Sequence, residues 1–326
     1  MSDCSIDSLG RGTPAELPPG LEHPIRANGA TVTVLTPSYN YAHFLPECLR
    51  SVQEQQSSGL DVQHVVVDDG STDDSWAVIT DLHPQRERDC VRQDNRGLSA
   101  TLNRALTLAR GEWLLWLNAD DFLLPDTMRL LAAALQDVPD ADLVFGDTLF
   151  VDDQSRVVRL VAQPPFDRSL VEGGYNTFHV PSVLWRRSRL TKQAPFDESL
   201  QLLMDLDLWL DLTRPGCTTV KVDAAFSAFR RHAAQVSATD RPSDAAEMQL
   251  LATRHGLDRL MSAQTSRPLR SATARHAFAK VADGSWLRER ALRGHVGRPV
   301  GPGTAPHLEL SRLLQPQTPR RSVRRT

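Results

Sequence analysis

At 326 residues the chain is long enough for one large domain, or for a domain with an appendage. Hydrophobic residues make up 40% and charged residues 24%, an ordinary globular makeup, and no apolar run nears the ~20 residues needed to cross a bilayer. The net charge of −3 hides an asymmetry: residues 1–239 hold 21 Lys and Arg against 33 Asp and Glu, whereas residues 240–326 hold 16 against 7. An acidic body with a basic tail predicts that the tail meets something anionic, whether a membrane surface, the body itself or a nucleic acid. The alternative is a solvated tail. Four scattered cysteines without a CxxC pair argue against a zinc site and a disulfide framework. The N-terminus lacks an apolar signal region, so a cytoplasmic protein is expected.

Residues 1–30 carry Pro14, Pro18, Pro19 and Gly20 without periodicity and read as unstructured. Thr31 to Thr36 is β-branched and predicts a strand, ending in the turn Pro37-Ser38-Tyr39-Asn40. Phe44, Leu45, Cys48, Leu49 and Val52 follow at helical spacing. A second strand, residues 63–67, runs into Asp68-Asp69-Gly70, and Ser71 to Asp74 fits a helix cap and capping box. A short strand over 89–93 precedes Gly97, and Leu98, Leu102, Ala105 and Leu106 form one face of a helix, with Asn103 and Arg104 off that face.

Trp113 to Leu117 is an unbroken apolar run that predicts a strand buried on both faces. It stops at Asn118-Ala119-Asp120-Asp121. Two adjacent carboxylates at the edge of a low-dielectric core repel each other, and a cation between them relieves that. Oxygen ligands of this kind suit Mg²⁺ or Mn²⁺, which also hold phosphate oxygens. The structural alternative is that one of them caps the helix beginning near Pro125-Asp126. Alternation of strand and helix over the first 125 residues predicts a parallel sheet with helices on both faces and ligands at the strands' carboxyl ends. No GxGxxG follows any strand, against a dinucleotide site, and no nucleophile elbow suggests acyl transfer.

Further on, residues 128–135 predict a helix and 141–147 a strand. Residues 148–151 and 157–160 predict hairpin arms, 179–185 a strand, and 204–212 a helix with Asp205 in its first turn. A strand pair is expected around Val220 to Val222, followed by Phe226 to Phe229 and Arg230-Arg231-His232. A helix is expected from about 243 to 260, and then isolated helices and a disordered end.

Six stretches together resemble glycosyltransferase family 2, the inverting enzymes of the GT-A fold, over roughly residues 31–240. They are TPSYN at 36–40, VVVDDGSTDDS at 65–75, NRGLSATLNRAL at 95–106, GEWLLWLNADD at 111–121, MDLDLWLDL at 204–212 and RRHAAQVS at 230–237. The resemblance implies that Thr36, Pro37, Tyr39 and Asn40 wrap the nucleotide base, with Asp69 accepting from the base's ring N–H and Asp68 as its structural partner. It places Asn103 and Arg104 near base and ribose. Asp120 and Asp121 match the metal-binding carboxylates, Asp120 also serving the nucleotide. Asp205 matches the catalytic base, with Asp207 as competitor, and His232 a position near diphosphate and metal. Asn118 stands where the family often has Asp, and Met204 where it often has an acidic residue.

The reading is therefore an α/β chain of GT-A type with a mixed, mainly parallel sheet flanked by helices. It divides into a disordered 1–30, a catalytic domain over 31–240 and a basic, helical to disordered extension over 241–326. The implied activity is metal-assisted, inverting transfer from a nucleotide-diphosphate sugar, by expectation a UDP-sugar, with Mg²⁺ or Mn²⁺ as cofactor. The acceptor is an unspecified glycan, lipid-linked molecule or small molecule, in polysaccharide or glycan biosynthesis. The basic tail allows peripheral membrane contact, and no nucleic-acid partner is expected. The alternatives are a non-catalytic nucleotide- or sugar-binding protein and a metal-dependent nucleotidyltransferase. The latter would need a basic, Gly-rich triphosphate loop that TPSYN does not supply.

Overall fold

The structure, a computed structural model, describes residues 31–57, 60–172, 177–233, 235, 243–257, 280, 285–302, 314 and 320–326. Residues 1–30 and the expected helix end at 258–260 lie outside the described residues.

The N-terminal half alternates as the sequence predicts. β1 (Thr31–Ser38), α1 (Leu45–Gln53), β2 (Asp61–Asp68), α2 (Ser75–Leu82), α3 (Arg86–Asp89), β3 (Cys90–Arg92), α4 (Leu98–Leu108) and β4 (Trp113–Trp116) follow in order. After them come β5 (Phe122–Leu123), α5 (Thr127–Asp137), β6 (Leu143–Val151), β7 (Val157–Val161), α6 (Arg168–Glu172), β8 (Val183–Arg186), α7 (Met204–Leu212) and β9 (Thr218–Arg230). The C-terminal part supplies α8 (Ser243–His255), α9 (Ser285–Ala291) and β10 (Arg321–Arg325).

One sheet orders its strands β10-β9-β6-β8-β4-β1-β2-β3, with β5 on β9 and β7 on β6. β4, β1, β2 and β3 are parallel neighbours, β6 and β9 are parallel, and β8 enters antiparallel between β4 and β6. All four residues of β4 are buried, which is why its sequence lacks the alternation of a half-solvated strand. The chain leaves β1 to β2 on one side and returns to β4 on the other, so the strand order reverses at β1. A crevice opens at such a point, outside the carboxyl ends of the strands.

Several local expectations are corrected. The strand expected over 179–185 begins as a 3₁₀ turn, Val180–Ser182, because Pro181 donates no ladder bond. The pair expected around Val220 is one 13-residue strand, long enough to join β6 and β10. Ser71 is not a helix cap: α2 begins at Ser75, and Ser71 Oγ instead accepts the Asn40 N–H at 2.9 Å. The chain's end is a strand, β10, paired antiparallel to β9 along Thr218 to Val222.

Described residues beyond 240 pack into the same core as those before it. Leu251 and Ala252 join Leu206, Leu208 and Trp209 of α7 and Trp116 of β4 in one cluster. Leu292, Val300 and Leu314 join Phe122, Leu149 and Ala228 in another. Among the described residues, no helix is long and apolar enough to cross a membrane.

Candidate active site

The place where topology puts a crevice carries residues at or just beyond the carboxyl ends of the parallel strands. Ser38 ends β1, Asp68 and Asp69 close β2, and Asp120 and Asp121 come shortly after β4. All five are buried. Among the described residues, Ser38 Oγ, Asp68 Oδ1 and Asp121 Oδ2 are buried polar atoms with no hydrogen-bond partner in the protein. Such atoms are costly unless something satisfies them. Three of them at the carboxyl ends of three neighbouring strands mark the place where a polar ligand would do so.

Asp121 is the centre of this arrangement. Its Oδ1 accepts the Arg230 main-chain N–H at 2.8 Å, and its own N–H bonds the Asn118 carbonyl at 3.1 Å. Burial pushes its carboxyl well above the usual carboxylate range, Asp120 adds to the rise, and the Arg230 N–H and guanidinium pull the other way. Neither aspartate caps a helix, since α5 begins at Thr127 with Asp126 at its N-cap. Asp120 Oδ2 lies 3.0 Å from His232 Nε2, and the His232 ring packs against Phe44 and edge-on to Tyr41. The Asn118 amide turns its oxygen to Trp116 Nε1 at 2.7 Å, leaving its NH₂ on the Asp121 side, where it helps hold the carboxyl down.

These residues fit a divalent cation. Two carboxylates meet at one place, one with an unsatisfied buried oxygen, beside an imidazole nitrogen, and hard oxygen donors suit Mg²⁺ or Mn²⁺. Among the described residues no cage of three or more acidic, histidine or cysteine side chains is assembled, so phosphate oxygens and water would complete the shell.

Arg230 organises the floor, a role that the sequence did not reveal. Its side chain is 1% exposed and lies over the Phe44 ring at 4.5 Å. Nε donates to the Asp120 carbonyl at 2.8 Å, Nη1 to Ser155 Oγ at 2.8 Å, and Nη2 pairs with Glu47 of α1. The run RRH reads as a basic surface, and only the fold tells that its first arginine is inside.

The TPSYN segment forms one wall. Thr36 is fully buried, with Oγ1 2.9 Å from His64 Nε2, so its hydroxyl serves the core. Pro37 pairs with Val67 across the strands. Tyr39 is 43% exposed, which leaves its ring face open. Asn40 sits at φ 58° and fastens the neighbouring turn by accepting the Thr72 N–H at 2.8 Å.

Asp69 clamps the turn ahead of α4. Oδ1 accepts Gln93 Nε2 at 2.8 Å and the Arg96 N–H at 2.9 Å, while Oδ2 accepts the Gly97 N–H at 2.8 Å. Oδ2 therefore retains acceptor capacity. Gly70 lies at φ +74°, and a Cβ there would stand 2.9 Å from the Asn95 nitrogen, so only glycine lets the two turns meet.

Asn103, expected near base and ribose, is bonded through its amide to the main chain of Phe196. Its Nδ2 donates to the Phe196 carbonyl at 2.7 Å and its Oδ1 accepts the Phe196 N–H at 3.1 Å, so the amide is committed to the chain leading into α7. Arg104 is exposed. Of the two acids in the first turn of α7, Asp207 is buried and bonded to Arg254 at 2.5 Å and His255 at 2.6 Å. Asp205 is half-buried, and one of its oxygens accepts the Leu206 N–H at 2.7 Å.

The family described as Glycosyl transferase family 2 matches residues 33–192. A PGL/p-HBAD biosynthesis glycosyltransferase of Mycobacterium bovis is 32% identical over 178 residues, covering 54% of this chain and 66% of that protein. The chondroitin synthase of Escherichia coli is 26% identical over 187 residues, 57% of this chain and 27% of that protein. The chain thus spans just under two thirds of the mycobacterial relative and about a quarter of the synthase. A crystal structure of S. aureus TarS in complex with UDP-GlcNAc superimposes with a TM-score of 0.53 at 21% identity, over 77% of this chain and 74% of that one. At that identity the likeness is one of fold, and the fold is the expected GT-A type.

Proposed function

Because the chain belongs to glycosyltransferase family 2 through residues 33–192, we propose that it transfers a sugar from a nucleotide-diphosphate sugar, a UDP-sugar by preference, to an acceptor hydroxyl with inversion. The observation that carries this reading is that Ser38 at the end of β1, Asp68 at the end of β2 and Asp121 after β4 each keep a buried oxygen unsatisfied. A divalent cation, when bound, neutralises charge developing on the diphosphate leaving group.

Asp120 and Asp121 are the residues to hold that cation, with His232 at the edge of Asp120. Tyr39 offers an open ring face to the base, and Pro37 and Asn40 shape the wall beside it. Thr36 contributes through its backbone. Asp69 retains one acceptor position for a base N–H while holding the turn at 93–97. Asp205 takes the proton of the acceptor hydroxyl as it attacks. Its competitor Asp207 is buried and ion-paired with Arg254 and His255, whereas Asp205 is only half-buried, which favours Asp205 as the base. One base without a dedicated second carboxylate suits a single displacement, and hence inversion.

The acceptor side includes contact with an anionic lipid surface. Its support is the exposed Val158 and Val296, which line a groove with Arg159 and Arg293 between β7 and the turn after α9.

The deciding experiment measures nucleotide release from a panel of nucleotide sugars, with Mn²⁺ and after chelation. Metal-stimulated release by the native chain, absent in Asp121→Ala, is the expected result. Binding of UDP by Asp121→Ala with native calorimetric affinity in Mn²⁺ would refute the metal role, and donor binding without any turnover would favour the non-catalytic reading.

A further inference from the structure

The helix that presents Asp205 does not stand alone, and what holds its entry lies outside the segment matched by the family. Glu247 of α8 is 6% exposed. One of its oxygens accepts the Gln201 N–H at 2.8 Å, and the other accepts the N–H groups of Leu202 at 3.0 Å and Leu203 at 2.9 Å. These are the three residues before α7, and a carboxylate at this place satisfies donors that a helix entry otherwise leaves open. In the first turn of α7, buried Asp207 bonds Arg254 and His255 of α8, and Arg254 also pairs with Asp197. Leu251 and Ala252 seat the same helix in the core beside Leu206 and Leu208.

The opposite side of this lead-in is tied to the donor wall. Asn103 of α4 clasps Phe196 through both ends of its amide, and Arg96 pairs with Glu198 at 3.2 Å. The Arg96 N–H is itself held by Asp69. Asp69 and Asp205 are thus connected through two turns and one short segment, and α8 closes that segment from outside.

We propose that α8 is a brace that sets the position of Asp205 against the donor site, with Glu247 as its positioning residue. The inference rests on Asp205 being the base. Glu247 touches no reacting atom. Its carboxylate fixes three N–H groups, and with them the angle at which α7 leaves the lead-in. A displacement of ~1 Å at a reacting group costs on the order of 100-fold in rate.

The test uses the full chain with Glu247→Ala and Glu247→Gln, beside Asp205→Asn. It measures kcat and KM with the nucleotide sugar that the native chain turns over fastest, calorimetric affinity for UDP, and amide hydrogen exchange over 201–206. Glu247→Ala should lower kcat about 10- to 100-fold, change UDP affinity less than about twofold, and raise exchange over 201–206. Glu247→Gln, which keeps a carbonyl acceptor, should recover part of kcat. Native kcat in Glu247→Ala with exchange raised at 201–206 overturns the proposal, and so does native exchange there. A parallel loss of UDP affinity and kcat overturns it too, since that marks a general structural role. Should Glu247→Ala not fold, Glu247→Gln and Asp207→Asn carry the same comparison. If Asp205→Asn keeps full transfer, the assignment of the base fails, and the exchange result still decides whether Glu247 holds the entry to α7.

Discussion

Replacing Arg230 tests the floor of the crevice most directly. Arg230→Met keeps an unbranched apolar stem against Phe44 and Phe122 but removes the guanidinium. It leaves Glu47 without its cation and takes the donors from Ser155 Oγ and the Asp120 carbonyl. Breaking a buried ion pair by removing one partner costs about 3–5 kcal/mol, because the other charge stays behind. Glu47 is 30% exposed and can rehydrate in part, so the lower end, about 3 kcal/mol, applies. At about 2 °C per kcal/mol for a chain of this size, Tm should fall by about 6 °C. Adding Glu47→Gln removes the stranded charge and should restore roughly half of that loss, a coupling read from urea midpoints of the four proteins. Arg230 also carries the Asp120 carbonyl, so UDP affinity in Mn²⁺ should fall in Arg230→Met and stay low in the double variant. Additive effects of the two substitutions, or native UDP affinity in Arg230→Met, would refute the view that this arginine organises the metal-side loop.

Three further outcomes rest on the same geometry. Asp205→Asn should retain UDP binding and lose transfer by roughly 10²–10⁴-fold, the usual worth of a positioned base, and surviving transfer would place the base elsewhere. Burial holds His64 and His83 below the ordinary histidine value of 6.5, so the unfolded chain takes up protons first as pH falls through that value. Stability is then full above about pH 6.5 and declines below it, by up to about 1.4 kcal/mol per pH unit for His64. Urea midpoints at pH 7 and 5.5 should show a smaller decline in His64→Gln, and an unchanged decline would refute the assignment. Co-sedimentation with phosphatidylserine vesicles should weaken in Arg293→Glu with Val296→Ser, and equal sedimentation of native and variant protein would remove the lipid contact. Point variants are the right probe there, because truncation at 240 deletes α8 and β10 from the fold.

The parallel half of the fold was legible because its signals are local. Trp113 to Trp116 is apolar without interruption since both faces are covered, and acids stand after β2 and β4 where the sheet's carboxyl edge must lie. Asp120 and His232, 112 residues apart in sequence, stand 3.0 Å from each other. What stayed hidden depends on partners far away in sequence. Asn103 read as a solvated or ligand-facing amide, yet its partner is the backbone of Phe196, 93 residues on. Glu47 of α1 carries no local signal of its role, and its partner is Arg230, 183 residues on. β10 was invisible because RSVRR has neither alternation nor apolar length. It forms because β9 presents an open edge to it.

The charge asymmetry of the sequence resolves in part within the molecule. Arg254 pairs with Asp197 and Asp207, Arg288 with Asp147 and Asp223, Arg321 with Asp137 and Arg325 with Asp140. These pairs differ in what they contribute. Arg325 and Asp140 are mostly exposed, and such pairs contribute about 0–1 kcal/mol. Asp147 is fully buried, and even with Arg288 at 2.8 Å its carboxyl is pushed up by burial, so this pair selects where α9 docks more than it stabilises the docked state. The adhesion comes from Leu251, Leu292, Val300 and Leu314, all buried, at about 1.5–3 kcal/mol each. Salt alone should therefore not release the C-terminal segment. Because α8 belongs to that segment, the helix carrying Asp205 is braced by apolar contact, with the ion pairs fixing its register.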